Sequence, residues 1–158
     1  MITLRDAGQG DGEVLFRFVC ALAEYEKLSH LVVCEAADIE ARLTAPDAKL
    51  FGMIAEQDGQ PVGMALYFYN FSTFRGRHGI YIEDIYVDPA ARGAGIGLQL
   101  LQALAKKASA AGCARIEWWV LDWNEPAIRF YEKLGAKPMS EWVPYRIEGA
   151  ALDALAAA

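Results

Sequence analysis

Residues 79–97 read GIYIEDIYVDPAARGAGIG, an apolar strand-like run that ends at Asp88-Pro89 and passes through a glycine-rich turn into a Leu/Ala-rich stretch. Regular alternation from Gly79 to Val87 would put Ile80, Ile82, Asp84 and Tyr86 on one face, and Tyr81, Glu83, Ile85 and Val87 on the other. Two adjacent carboxylates, Glu83 and Asp84, interrupt this otherwise apolar element. In Arg92-Gly93-Ala94-Gly95-Ile96-Gly97 the glycines let backbone N–H groups approach an anion. The helix start beyond adds roughly half a positive charge and several unpaired donors. Strand, glycine turn and helix in that order suit a phosphate.

Three readings of the turn compete. A nucleotide-triphosphate loop needs Lys-Ser/Thr after its last glycine, but Gly97 is followed by Leu98 and Gln99. A dinucleotide fold places GxGxxG after its first strand, whereas Gly93 to Gly97 is one residue short and follows four expected strands. A tight turn without a ligand stays open on residue types alone.

Working outward, Met1 to Arg5 reads as a strand, and Asp11 to Tyr25 as a helix with Asp11 as its N-cap. Glu35 to Leu43 is a short helix. Leu50 to Ala55 and Val62 to Tyr69 are strands joined through Gln57-Asp58-Gly59-Gln60. Gly95 to Ala111 is helical, with Leu98, Leu101, Leu104, Ala105 and Ala108 as its expected buried stripe and Gly112 as its stop. Ile116 to Leu121 is a strand, Pro126 to Leu134 a helix ended by Gly135, and Trp142 to Ile147 a last strand. The Ala-rich tail, Ala150 to Ala158, reads as a frayed helix. The order β-α-α-β-β-β-α-β-α-β predicts a single α/β domain over residues 1–158, with a mixed sheet flanked by helices.

At 158 residues, with 54% hydrophobic and 23% charged, the chain suits one core and is too apolar for disorder. Fifteen Lys and Arg against 21 Asp and Glu give a net charge of −6, which disfavours a nucleic-acid backbone as partner and favours small cations. Trp118, Trp119 and Trp123 therefore read as core and ligand-wall residues, not as a base-stacking platform. Cys20, Cys34 and Cys113 are odd in number and, with His30 and His78, lack metal-site spacing; no metal is expected. None of the thiols has a His placed to activate it, so buried structural thiols are expected. No run approaches a membrane span and no signal-peptide layout is present, from which a cytoplasmic setting is expected.

Four separated blocks resemble a known family in the right order: Ala23-Glu24-Tyr25-Glu26-Lys27-Leu28, Tyr81-Ile82-Glu83-Asp84, Arg92 to Gly97, and Trp123-Asn124-Glu125-Pro126 with Phe130-Tyr131. Together they are similar to the GNAT superfamily of N-acetyltransferases, in its diamine and thialysine branch, over nearly the whole chain. The resemblance implies a mostly antiparallel central sheet and acetyl-CoA as co-substrate. It implies that the main chain of Ile85, Tyr86 and Val87 pairs with the pantetheine arm as an added strand would. The amides of Gly93, Ala94, Gly95, Ile96 and Gly97 would then take the pyrophosphate beside Arg92, and Asn124 would contact the cofactor arm.

For catalysis the resemblance implies Glu83 as the base, direct or through water, and Tyr131 as the acid at the departing sulfur. An alkylammonium near pKa 10.4 must lose a proton before it attacks, which is why a base is needed. On residue types alone, Tyr131 also reads as a core aromatic, and Glu83 or Asp84 as a carboxylate that only solvates a face or that pairs with Arg75 or Arg77. Tyr25, Glu26, Glu83 and Asp84 would make an acidic, aromatic-edged pocket for a cationic amine. Leu28-Ser29-His30 and Ser72-Thr73-Phe74 depart from the polyamine pattern and look more like the thialysine branch. The expected acceptor is a primary amine of a small diamine, polyamine or lysine-like amino acid, acetylated directly in a ternary complex. A protein or peptide acetyltransferase and a non-catalytic acyl-CoA sensor remain as alternatives. Relatives of this branch are homodimers, which implies one here, with Glu141-Trp142-Val143-Pro144-Tyr145 as a late strand packed or exchanged across it.

Overall fold

The computed structural model describes residues 1–158, in two compact units, Met1–Trp119 and Val120–Ala158. The first unit contains a five-stranded sheet in the order β1-β2-β3-β4-β5, formed by β1 (Ile2–Asp6), β2 (Phe51–Gln57), β3 (Gln60–Ser72), β4 (Arg77–Val87) and β5 (Ile116–Trp118). The first four strands pair antiparallel and β5 lies parallel to β4, so the sheet is mixed and mostly antiparallel, as expected. Helices α1 (Gly12–Tyr25), α2 (Ala36–Thr44) and α3 (Ile96–Ala110) belong to this unit.

Leu15 and Phe18 of α1 and Ile39 of α2 close over Ile54, Met64, Leu66 and Tyr86, forming one core layer. Each such side chain stabilises the fold by about 1.5–3 kcal/mol when fully buried. The sheet's other face buries Met53, Ala65 and Ile82, and α3 packs on β2, β3 and β4. The buried stripe of α3 is Ile96, Leu100, Leu101, Leu104 and Ala108. Leu100 therefore faces inward where Ala105 was expected, and Leu98 is half-buried. The stripe is rotated by part of a turn relative to the pattern read from the leucines.

Asp11 stands at the N-cap of α1, but its carboxylate does not cap the helix. It instead receives two hydrogen bonds from the Arg5 guanidinium, at 2.9 and 2.8 Å, and one from the Gly8 N–H at 2.8 Å. A bidentate, charge-assisted partner outcompetes a helix amide for the same oxygens. Asp38 caps α2 by accepting from the Glu35 N–H at 2.8 Å.

The β3–β4 hairpin is longer than expected, since pairing continues to Ser72 and Arg77, whereas β5 stops at Trp118. In the second unit, α4 spans Glu125–Lys133 and α5 spans Gly149–Ala156. Residues 142–147 form no strand, contrary to expectation. Pro144 removes a ladder donor there, and Trp142, Val143, Tyr145 and Ile147 are all exposed. No helix is long and apolar enough to cross a membrane.

Candidate functional site

The regular alternation expected along β4 breaks at Glu83. Leu66 pairs with Asp84 and the next β3 residue, Tyr67, pairs with Ile82, so Glu83 is an extra residue on β4, a β-bulge. Antiparallel partners share a face. Tyr81, opposite Phe68, therefore joins Asp84 and Tyr86 on the α1/α2 side, while Ile80, Ile82, Ile85 and Val87 share the other. The grouping expected from strict alternation is corrected accordingly: one inserted residue moves Tyr81 across and Ile80 and Ile82 away.

The bulge also marks where β4 loses its outer neighbour. β5 pairs with Ile80, Tyr81 and Ile82 only, so no strand pairs with the outer edge of residues 83–87. Ile85, Tyr86 and Val87 are held on the inner edge by Ala65, Met64 and Gly63. An exposed strand edge of this kind takes an extended ligand through its main-chain groups.

Beyond Val87 the chain makes a 3₁₀ turn at Pro89–Ala91 and enters the glycine turn. Gly93 and Gly95 have φ of +86° and +74°, and a Cβ added at either would meet nothing within 4 Å. Conformation therefore demands glycine here, and the space above the turn is open. Gly95 is the N-cap of α3 and provides no side-chain cap. The first α-type bond at this end is donated by the Gln99 N–H to the Gly95 carbonyl, at 3.0 Å. The amides of Ile96, Gly97 and Leu98 precede it, as the orphan donors of a helix start. Arg92 is exposed; its Nε donates to the Val87 carbonyl at 3.1 Å and its guanidinium lies 5.5 Å from the Tyr25 ring centre. The donor set fits a diphosphate: open amides at a helix N-terminus beside a cation.

Two carboxylates, Glu83 and Glu26, act on a third, Asp84, near the bulge. Burial pushes Asp84 up to about 6, and the charges of Glu83 and Glu26 push the same way. Burial alone raises Glu26. Tyr81 is raised to about 12, first by burial and then by Glu83. Neither Glu83 nor Asp84 is in an ion pair, so the expected pairing with Arg75 or Arg77 is not made. A neighbourhood of unneutralised negative charge favours a cation.

Glu83 also lines a cleft of about 770 Å³ together with Arg42, Asp47, Lys49, Phe68 and Tyr69. That volume lies within the range of small-molecule sites. Sequence reading missed Arg42, an ordinary exposed charge on a short helix, and Asp47 and Lys49, because the polar loop after that helix has no distinguishing period. Tyr25, Glu26 and Asp84 do not line this cleft.

In the second unit Asn124 caps α4, its side-chain oxygen accepting from the Ala127 N–H at 3.4 Å. Tyr131 lies half-buried on the same helix, its ring centre 5.5 Å from that of Phe130. Trp119 and Trp123 are exposed and hence not core residues; Trp119 meets Tyr81 edge-on at 6.2 Å. The three cysteines are free and half-buried.

An open strand edge that runs directly into an amide-lined turn makes a surface for an extended ligand that ends in a diphosphate. The chain belongs to the Acetyltransferase (GNAT) family, whose pattern matches residues 16–136. It is 37% identical over 166 residues to a thialysine N-epsilon-acetyltransferase of Bos taurus, covering 98% of this chain and 97% of that one. It is 39% identical over 121 residues to an L-ornithine N5-acetyltransferase of Arabidopsis thaliana, covering 77% of this chain and 53% of the relative. An integron cassette protein from the mobile metagenome of V. cholerae has a similar structure, with a TM-score of 0.82, 25% identity and 99% and 98% of the two chains covered. The chain is an N-acetyltransferase, of a family that uses acetyl-CoA as co-substrate.

Proposed function

We propose that residues 1–158 act as one N-acetyltransferase domain that acetylates the terminal amine of a small diamine or lysine-like amino acid. The observation that supports this most is the fork beyond Ile82, where an open β4 edge carrying Glu83 leads directly into the Gly93–Gly97 turn. In this reading the main chain of Ile85, Tyr86 and Val87 orients the pantetheine arm. The amides of Gly93, Ala94, Gly95, Ile96 and Gly97 hold the pyrophosphate with Arg92. Bound there, acetyl-CoA supplies an activated acyl carbon. Asn124 is assigned a contact to the same arm, in addition to its cap of α4.

The acceptor arrives as an ammonium. Tyr25, Glu26 and Asp84 supply the negative, aromatic surroundings that draw it in, and Glu83 takes up its proton, directly or through a water. The Tyr131 phenol holds a proton for the departing sulfur. Each proton-transfer role is worth on the order of 10²- to 10⁴-fold in rate. The relatives named for thialysine and ornithine support an amino-acid or diamine acceptor, and the chain's three free thiols suit a reducing cytoplasm. The exposed apolar residues Trp142, Val143, Tyr145 and Ile147 support a homodimer in which a second copy covers them.

The test is CoA release from acetyl-CoA with a panel of amines between pH 7 and 9. Turnover with small diamines or lysine-like amino acids, lost in Glu83→Gln and Tyr131→Phe while acetyl-CoA still binds, is the expected result. Acetylation of polypeptide acceptors alone would replace this reading with a protein acetyltransferase, and binding without turnover would replace it with a sensor.

A further inference from the structure

The cleft beside Glu83 contains more charge than an amine alone requires. Arg42 comes from the last turns of α2, Asp47 and Lys49 from the loop between α2 and β2, Phe68 and Tyr69 from β3, and Glu83 from the β4 bulge. Arg42, Lys49, Asp47 and Glu83 are in no ion pair, with one another or with any other residue. Two cations and two carboxylates share one aromatic-walled space, and each is left to find its counter-charge elsewhere.

We infer that Arg42 and Lys49 bind the α-carboxylate, and Asp47 the α-ammonium, of an amino-acid acceptor whose side-chain amine is presented to Glu83. The inference rests on the acetyltransferase reading above and deepens it, by choosing amino acids over plain diamines and naming the residues that choose. A lysine-like molecule has one carboxylate and two ammonium groups separated by an apolar chain. The cleft offers cations for the first, a carboxylate for each of the others, and the Phe68 ring, on the α1/α2 side of the sheet, for the chain between them. A plain diamine can satisfy only the two carboxylates and leaves both cations without a counter-charge, whereas an amino acid also brings a carboxylate to them. An arginine fork also matches a carboxylate's two oxygens, which an amine cannot exploit.

The test compares L-lysine with 1,5-diaminopentane, which is the same molecule without its carboxylate. Wild-type protein and the variants Arg42→Gln, Lys49→Gln and Asp47→Asn are assayed with both at saturating acetyl-CoA. Arg42→Gln and Lys49→Gln are expected to lower kcat/KM for lysine about tenfold each, mainly through KM, since a hydrogen bond to a charged group is worth about one such factor. Their kcat/KM for the diamine is expected to be unchanged or higher. Asp47→Asn is expected to weaken lysine and to leave 6-aminohexanoate, which lacks the α-ammonium, unaffected. Each variant is first shown to keep the wild-type melting temperature and acetyl-CoA affinity, so that a folding defect is not read as a substrate effect. Equal losses for lysine and the diamine, or no loss for either, would overturn the assignment and leave the acetyltransferase reading intact. A wild-type protein that acetylates no small amine would overturn both.

Discussion

Asp84 should make the protein less stable as the pH rises. Its carboxyl lies on the α1/α2 side of the sheet, opposite Leu66, in no ion pair, and burial followed by the charges of Glu83 and Glu26 pushes it to about 6 from 3.8. The folded state therefore holds this proton more tightly than the unfolded chain does. Stability from Asp84 is fully present below its unfolded value and is lost as the pH rises through about 6. At about 1.4 kcal/mol per pH unit, the cost of keeping the ionised carboxylate folded is on the order of 3 kcal/mol. Asp84→Asn keeps the shape and removes the ionisation. Relative to wild type it should gain about 1 kcal/mol at pH 4.5 and up to roughly 3 kcal/mol at pH 8, which for a chain of this size moves the melting temperature by roughly 5–10 °C at the higher pH. Scanning calorimetry at pH 4.5, 6 and 8 measures this directly. A difference between variant and wild type that stays flat with pH, or grows toward acid, would refute the reasoning.

The opposite dependence is expected at Asp11, whose carboxyl the Arg5 guanidinium holds below the usual aspartate range. Its contribution is present above the unfolded value and lost as the pH falls, so Asp11→Asn should cost about 1–3 kcal/mol at pH 7 and much less at pH 3, by denaturant titration. Leu100 is fully buried beneath α3, and Leu100→Ala should lower stability by about 2–5 kcal/mol through the cavity it leaves, measured in the same way. Gly95 has φ +74°, and Gly95→Ala should cost roughly 1–2 kcal/mol in backbone strain. Isothermal titration should show that variant losing acetyl-CoA affinity, because strain at the turn misaligns the amides on either side.

Elements with a local cause were legible in the sequence. Gly93 and Gly95 mark a turn with positive φ whatever surrounds them, and α3 begins where the glycines end. Glu83 was legible by resemblance as a residue of chemical consequence, but its position on a bulge was not. A bulge exists only relative to the partner strand, and nothing in IEDIYV shows that β3 offers one residue fewer there. The same limit applies to the cleft. Arg42, Asp47 and Lys49 acquire meaning when the end of α2 and the α2–β2 loop come beside β3 and β4, a tertiary event that exposed polar residues do not announce. Residues 142–147 show the converse error: alternation was present, but with Pro144 inside it and no partnering edge, the pattern did not become a strand.

The bulge and the fork have a common physical origin. An extra residue bends the strand that contains it and increases its local twist. β5 follows β4 through Ile80, Tyr81 and Ile82 and stops one residue before Glu83, the bulge residue. A straight parallel neighbour cannot keep hydrogen-bond spacing with a strand that turns away, so pairing ends at the bulge. The same residue therefore opens the outer edge of residues 83–87 and, by shifting the alternation, puts Tyr81 and Asp84 on one face. Glu83 itself stands at the branch point and lines the cleft shared with Arg42, Asp47 and Lys49. A ligand extended along that edge and an amine drawn into that cleft would meet beside this carboxylate, and a regular strand with one residue fewer would have no extra carboxylate at the branch point.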